Sequence, residues 1–138
     1  DIAFREAIGE KYDEIERPIY LEAGKEVKNL ASALGLPTGN ARDIYESFWI
    51  IGTILNGPEF KAETTEEGDD RTVGEVTQCP MLNRAVEMGF DPQVVVLTAC
   101  QTYHKSAVEN LNPGFTLQVN KSMCSGDPYC EKVIERRK

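Results

Sequence analysis

Histidine and tryptophan each occur once in the 138 residues, as His104 and Trp49. A single histidine excludes any metal site built on two imidazoles, and it leaves general-base chemistry to His104, a carboxylate or a thiolate. The chain has no glycine-rich phosphate loop, no Gly-x-Ser-x-Gly elbow and no His-Glu-x-x-His helix. No run approaches the ~20 consecutive apolar residues of a membrane-spanning helix. Positive charge is scarce, with 15 Lys and Arg against 23 Asp and Glu and a net charge of −8. Such a surface repels phosphate backbones and anionic bilayers, so neither nucleic acid nor membrane is an expected partner, and a cytoplasmic location is expected. The one basic run, Arg136-Arg137-Lys138, closes the chain and reads as a solubilising end.

What is present fits one domain over residues 1–138, with a helical half (1–56) and a mixed half (59–138). A domain of this size buries roughly 68–70% of its unfolded surface, so it needs no staple to fold. Residues 3–16 read as a charged first helix that Pro18 breaks. Ala23, Val27, Leu30 and Leu34 then form one apolar stripe, ended by Gly35 and Pro37. A further helix is predicted from Ala41 to Leu55, capped by Asn40 and carrying Ile44, Phe48, Ile51 and Leu55, with Tyr45 and Trp49 beside the stripe. Residues 60–64 and 72–79 read as a hairpin around the charged turn Glu66 to Asp70. Pro80 opens a short helix to Met88, and Asp91-Pro92 caps a longer one reaching Leu111. Residues 115–120 alternate like a half-buried strand, and Tyr129 to Glu135 return as the last. Helices followed by hairpins predict an α+β fold, with antiparallel strands and helices packed on one face.

The four cysteines carry the chemistry. Cys124 and Cys130 flank a five-residue turn. Cys100 lies on the stripe Val96, Cys100, Tyr103, Ala107 and Leu111, which should face the sheet. His104 follows it by one helical turn, and Cys79 ends a strand just before Pro80. Cys100, Cys124, Cys130 and His104 are candidate metal ligands, zinc being the metal that prefers thiolate and imidazole. Two disulfides, or plain buried thiols, explain the same residues. Cys79 or Cys100 with His104 is also a candidate nucleophile–base pair. Tyr45, Trp49 and Tyr103 are candidate walls of an apolar pocket, although an aromatic stripe also serves as core.

The run Cys79-Pro80, helical Cys100, Asn112-Pro113 and Gly126-Asp127-Pro128-Tyr129-Cys130 resembles the 2-aminothiazoline-4-carboxylate hydrolase family over about Thr72 to Glu135. The closing Cys124-x-x-Gly-Asp-Pro-x-Cys130 is also similar to the end of the 4-vinyl reductase domain. That domain shares a ligand-binding fold with transport-complex subunits that hold an acyl chain. In aromatic-sensing transcription activators it carries zinc on a helical Cys, two Cys around the closing turn and a Glu. The resemblance implies that Cys100, Cys124 and Cys130 are zinc ligands. Lys121 stands where the Glu would be, so His104, Cys79 or water would complete the sphere. Three functions follow as expectations. The first is a sensor-like domain for a small apolar or heterocyclic ligand, with a zinc site. The second is a hydrolase opening a C–N bond of a small heterocycle, using His104 or Cys79. The third is a structural subunit, with the apolar face around Trp49 as the interface of a homodimer.

Overall fold

A proline inside a helix and a glycine outside it set the first departure from the sequence pattern. The computed structural model describes residues 2–138. Helix α1 covers Ile2–Ile8 and helix α2 covers Lys11–Leu34, so the break falls at Gly9 and not at Pro18, which lies inside α2. Gly9 turns the chain because its φ of 59° is left-handed, which costs glycine no steric penalty. Pro18 forfeits one helical hydrogen bond, but on the exposed side of α2. The opposite side packs lengthwise on a later helix, and that contact outweighs the local preference. Gly24 makes the approach possible: a Cβ there would stand 2.5 Å from the Ser106 side chain. Gly35 ends α2 in the left-handed region, as expected.

Helix α3 covers Ala41–Asn56, with the Asn40 side chain accepting from the Asp43 amide at 2.9 Å. Strands β1 (Lys61–Glu66) and β2 (Arg71–Gln78) form the first hairpin, and helix α4 covers Pro80–Glu87. The helix expected to run from Asp91 to Leu111 is not uniform. Asp91 accepts from the Gln93 amide at 2.9 Å, residues Gln93–Leu97 form a wide π-helical turn, and α5 proper covers Thr98–Leu111. Strands β3 (Phe115–Lys121) and β4 (Cys130–Arg136) follow, joined through a single 3-10 turn, Met123–Ser125. The sheet has the order β1-β2-β4-β3 with all neighbours antiparallel. This is the expected α+β arrangement, with the helices on one face.

The core lies between that face and the helices. Val27 and Ala31 of α2, Ile44, Phe48 and Ile51 of α3, Ala107, Val108 and Leu111 of α5, and Phe115, Leu117 and Ile134 of the sheet form one buried cluster. Tyr45 belongs to it, lying over β2 where a Cβ at Gly74 would overlap its ring and hydroxyl. Burial raises the Tyr45 pKa.

Candidate functional site

The wide turn before α5 and the closing turn before β4 bring all four cysteines to one place. Cys79 stands at the start of α4, Cys100 in the first turn of α5, Cys124 in the 3-10 turn and Cys130 at the start of β4. They line a single small cavity of about 20 Å³, with Val96, Leu97, Val119, Met123 and Lys132 among its other walls. All four are free thiols, so the Cys124–Cys130 bridge that the spacing allows is not formed. Among the described residues no three His, Cys, Asp or Glu side chains converge closely enough to hold a metal ion.

The closing turn explains its own sequence. Gly126 is left-handed (φ 94°), and the Asp127 carboxylate accepts from the Ser122 amide at 2.8 Å. The Ser122 hydroxyl accepts from the Cys124 amide at 3.2 Å, and the Met123 amide donates to Cys130 Sγ at 3.3 Å. The Gly-Asp pair therefore holds Cys124 and Cys130 in place without itself lining the cavity. Lys121 also stays outside it. Its ammonium donates to the Tyr129 hydroxyl and lies 4.0 Å from Glu131.

Cys100 faces two ways. Besides the cysteine cavity it walls a larger one of about 400 Å³, bounded by Tyr20, Ala23, Val27 and Leu30 of α2, Leu55 of α3, Met81 of α4, and Ala99, Tyr103 and His104 of α5. The lining is mostly apolar, and the volume lies in the range of small-molecule sites. His104 Nδ1 lies 3.2 Å from Cys100 Sγ, and the ring meets Phe48 edge-on at 5.0 Å. His104 lines this larger cavity and a small aromatic one, not the cysteine cavity. Burial pushes the Cys100 thiol up to about 12, with Lys132 opposing, and holds the His104 pKa well below its ordinary value, with Lys132 adding to the effect. Thiol and imidazole are therefore both neutral near pH ~7, which favours a packed hydrogen bond over a thiolate nucleophile. Cys124 is also raised, by burial first, against its Ser122 contact.

The remaining expected residues divide. Tyr103 walls the larger cavity and the aromatic one, a space of about 20 Å³ that Trp49 shares with Phe48, Phe60, His104 and Lys132. Trp49 meets Phe60 edge-on at 5.8 Å. Tyr45 lies in the core and lines none of these three cavities. A broader cleft of about 620 Å³ runs along the other flank of the α2–α5 contact. It is lined by Arg17, Glu22, Lys25, Lys105 and Glu109 and touches none of the cysteines. Its mixed charges and open form are those of a solvated surface. Two elements of the site were not anticipated, the cavity between α2 and α5 and the buried Lys132. Neither left a readable signal in the sequence, since Lys132 is placed on the inner face with Cys130 and Ile134 only by the strand register.

No protein-family model matches the chain, and no curated protein matches it either. Solved structures do share its fold, a small α+β fold seen in proteins with bound small molecules. One is the phenol-responsive sensory domain of the transcription activator PoxR with phenol, at a TM-score of 0.64 and 13% identity, covering 97% of this chain and 69% of that one. Another is trafficking protein particle complex subunit 3 from Naegleria fowleri covalently bound to palmitic acid. It matches at a TM-score of 0.60 and 14% identity, covering 93% of this chain and 81% of that one. Among the described residues no helix is long and apolar enough to cross a membrane.

Proposed function

We propose that the chain is a small-molecule-binding, sensor-like domain whose ligand occupies the cavity between α2 and α5. The observation that carries this reading is the cavity itself: about 400 Å³, with a mostly apolar surface and Tyr20, Glu26, Asn56, Cys100, Tyr103 and His104 as its polar groups. Such a space takes a compact apolar molecule and orients it through one or two hydrogen bonds. The fold shared with a phenol-bound sensory domain and a palmitate-bound subunit supports the same reading. The neutral Cys100–His104 pair suits a hydrogen-bonding cavity wall better than attack on a carbonyl. Calorimetric titration with phenol and with cyclohexanol tests the proposal. Saturable binding is expected, weakened at least about tenfold by Ala23→Trp, which fills the cavity from an exposed position. No heat of binding for any compact apolar probe, or binding unchanged by Ala23→Trp, would sink it.

A second reading concerns zinc, and it is favoured by the four free cysteines around one cavity. The donor set of four thiols fits zinc chemically, but the thiols would have to turn inward to hold an ion. Cys79, Cys100, Cys124 and Cys130 would then be the ligands, and His104, which lines the other cavities, would not. An ion with four protein ligands supplies structure and leaves no open position for chemistry.

A further inference from the structure

Strand β4 carries a lysine where its pattern calls for an apolar residue. Side chains alternate along a strand, so Cys130, Lys132 and Ile134 share one face, and Ile134 is fully buried in the core. The register sets Lys132 between Gly74 of β2 and Val119 of β3. Lys132 is only 4% exposed. Lysines so deeply buried are normally paired, because an ammonium taken out of water loses several kcal/mol that only a partner restores. The Lys132 ammonium has no such partner: among the described residues it makes no side-chain hydrogen bond and no ion pair, and besides its electrostatic effect on Cys100 and His104 it meets only the Phe48 ring, 5.7 Å from Nζ.

Lys132 faces open space. No fully enclosed side-chain nitrogen or oxygen among the described residues lacks a hydrogen-bond partner. The unpartnered Nζ therefore keeps some accessible surface, and Lys132 lines both the aromatic cavity and the cysteine cavity. The aromatic cavity adjoins the larger one, since Asn56, Tyr103 and His104 wall both. At about 20 Å³ it holds one compact group and no more, given that a single water needs roughly 10–15 Å³.

We infer that Lys132 is the anchor for an acidic head group, and that the ligand is a monocarboxylate with an apolar body. The body would fill the larger cavity, and the carboxylate would pass Tyr103 and His104 to meet the ammonium. One fixed positive charge matches one negative charge, and a charge-assisted hydrogen bond replaces the missing partner. A neutral hydroxyl would leave the ammonium unpaired. This inference rests on the cavity being the ligand site.

Four probes in two pairs test it: octanoate against octanol, and hydrocinnamate against hydrocinnamyl alcohol. The pairs separate an aliphatic from an aromatic body. Binding is read by calorimetry and by the fluorescence of Trp49, the sole tryptophan, in the aromatic cavity. At least one acid is expected to bind about tenfold or more tighter than its alcohol. Lys132→Met should abolish that advantage, bringing the acid-to-alcohol affinity ratio to within about twofold of one. The acid-to-alcohol ratio of the unaltered protein decides the matter even if the variant does not fold. Alcohols that bind as well as their acids overturn the Lys132 assignment and leave the cavity reading standing. Failure of all four probes overturns the Lys132 assignment, and failure of phenol and cyclohexanol as well removes both. Acid preference that survives Lys132→Met, with a loss of bound zinc instead, makes the ammonium a counter-charge for the cysteines and also overturns the proposal.

Discussion

His104 shows how far the surroundings of one side chain decide its role. As the only histidine it reads in sequence as a ligand or a base, yet burial and the neighbouring Lys132 hold its ring neutral. The consequence for stability has a definite sign. Above the ordinary value of 6.5 both folded and unfolded chains carry an uncharged ring. Below it the unfolded chain takes up a proton that the folded chain resists, so stability is lost as pH falls from there, by up to about 1.4 kcal/mol per pH unit for one such group. Between about pH 7.5 and about pH 5.5, His104→Phe should therefore lose at least ~1 kcal/mol less than the unaltered protein in denaturant titrations. An identical pH dependence in both proteins would show that His104 is not held neutral. Cys100, Cys124 and Cys130 were legible as a group because helical period and turn spacing put them on facing surfaces. Lys132 was not, because one polar residue in a short strand reads as an outward one until the register is known. Tyr45 sits two residues before Ser47 on α3, in a helix whose period alone does not separate a core ring from a pocket ring.

At the level of elements, helix and strand existence was largely written in the pattern, and their junctions were not. Asn40, Gly35 and the alternation of residues 115–120 each act locally, so each was readable. Pro18 acts locally too, but the long packing of α2 on α5 through Gly24 and Ser106 overrides it, and contacts between distant segments leave no periodic trace. The π-helical turn after Asp91 escaped notice for the same reason. These junctions nonetheless place the cysteines, since Cys79, Cys100, Cys124 and Cys130 each come from a different element. Metal exchange tests whether they work as one set. Protein stripped of metal and reloaded with cobalt is expected to bind one ion per chain and to show thiolate-to-cobalt charge-transfer absorption. That absorption should weaken in Cys79→Ser and persist in His104→Gln. Cobalt that fails to bind, with all four thiols titrating freely, would mean that the cysteines are packing residues.

For the molecule as a whole, an acidic chain packs around a single core, with two small cavities beside a larger one. The −8 charge of the chain contrasts with the mostly apolar lining of the larger cavity. The α+β class was readable from the order of helices and hairpins, but a cavity is the space that packing leaves unfilled, and only the assembled helices define it. The account stands on that cavity being a ligand site. Its most direct test is a titration of isotope-labelled protein with phenol, followed by nuclear magnetic resonance. Saturable shifts are predicted at Val27, Leu30, Ala99, Cys100 and Tyr103 around the cavity. Shifts that fail to saturate, or that gather along Arg17, Lys25, Lys105 and Glu109 in the charged cleft, would contradict it.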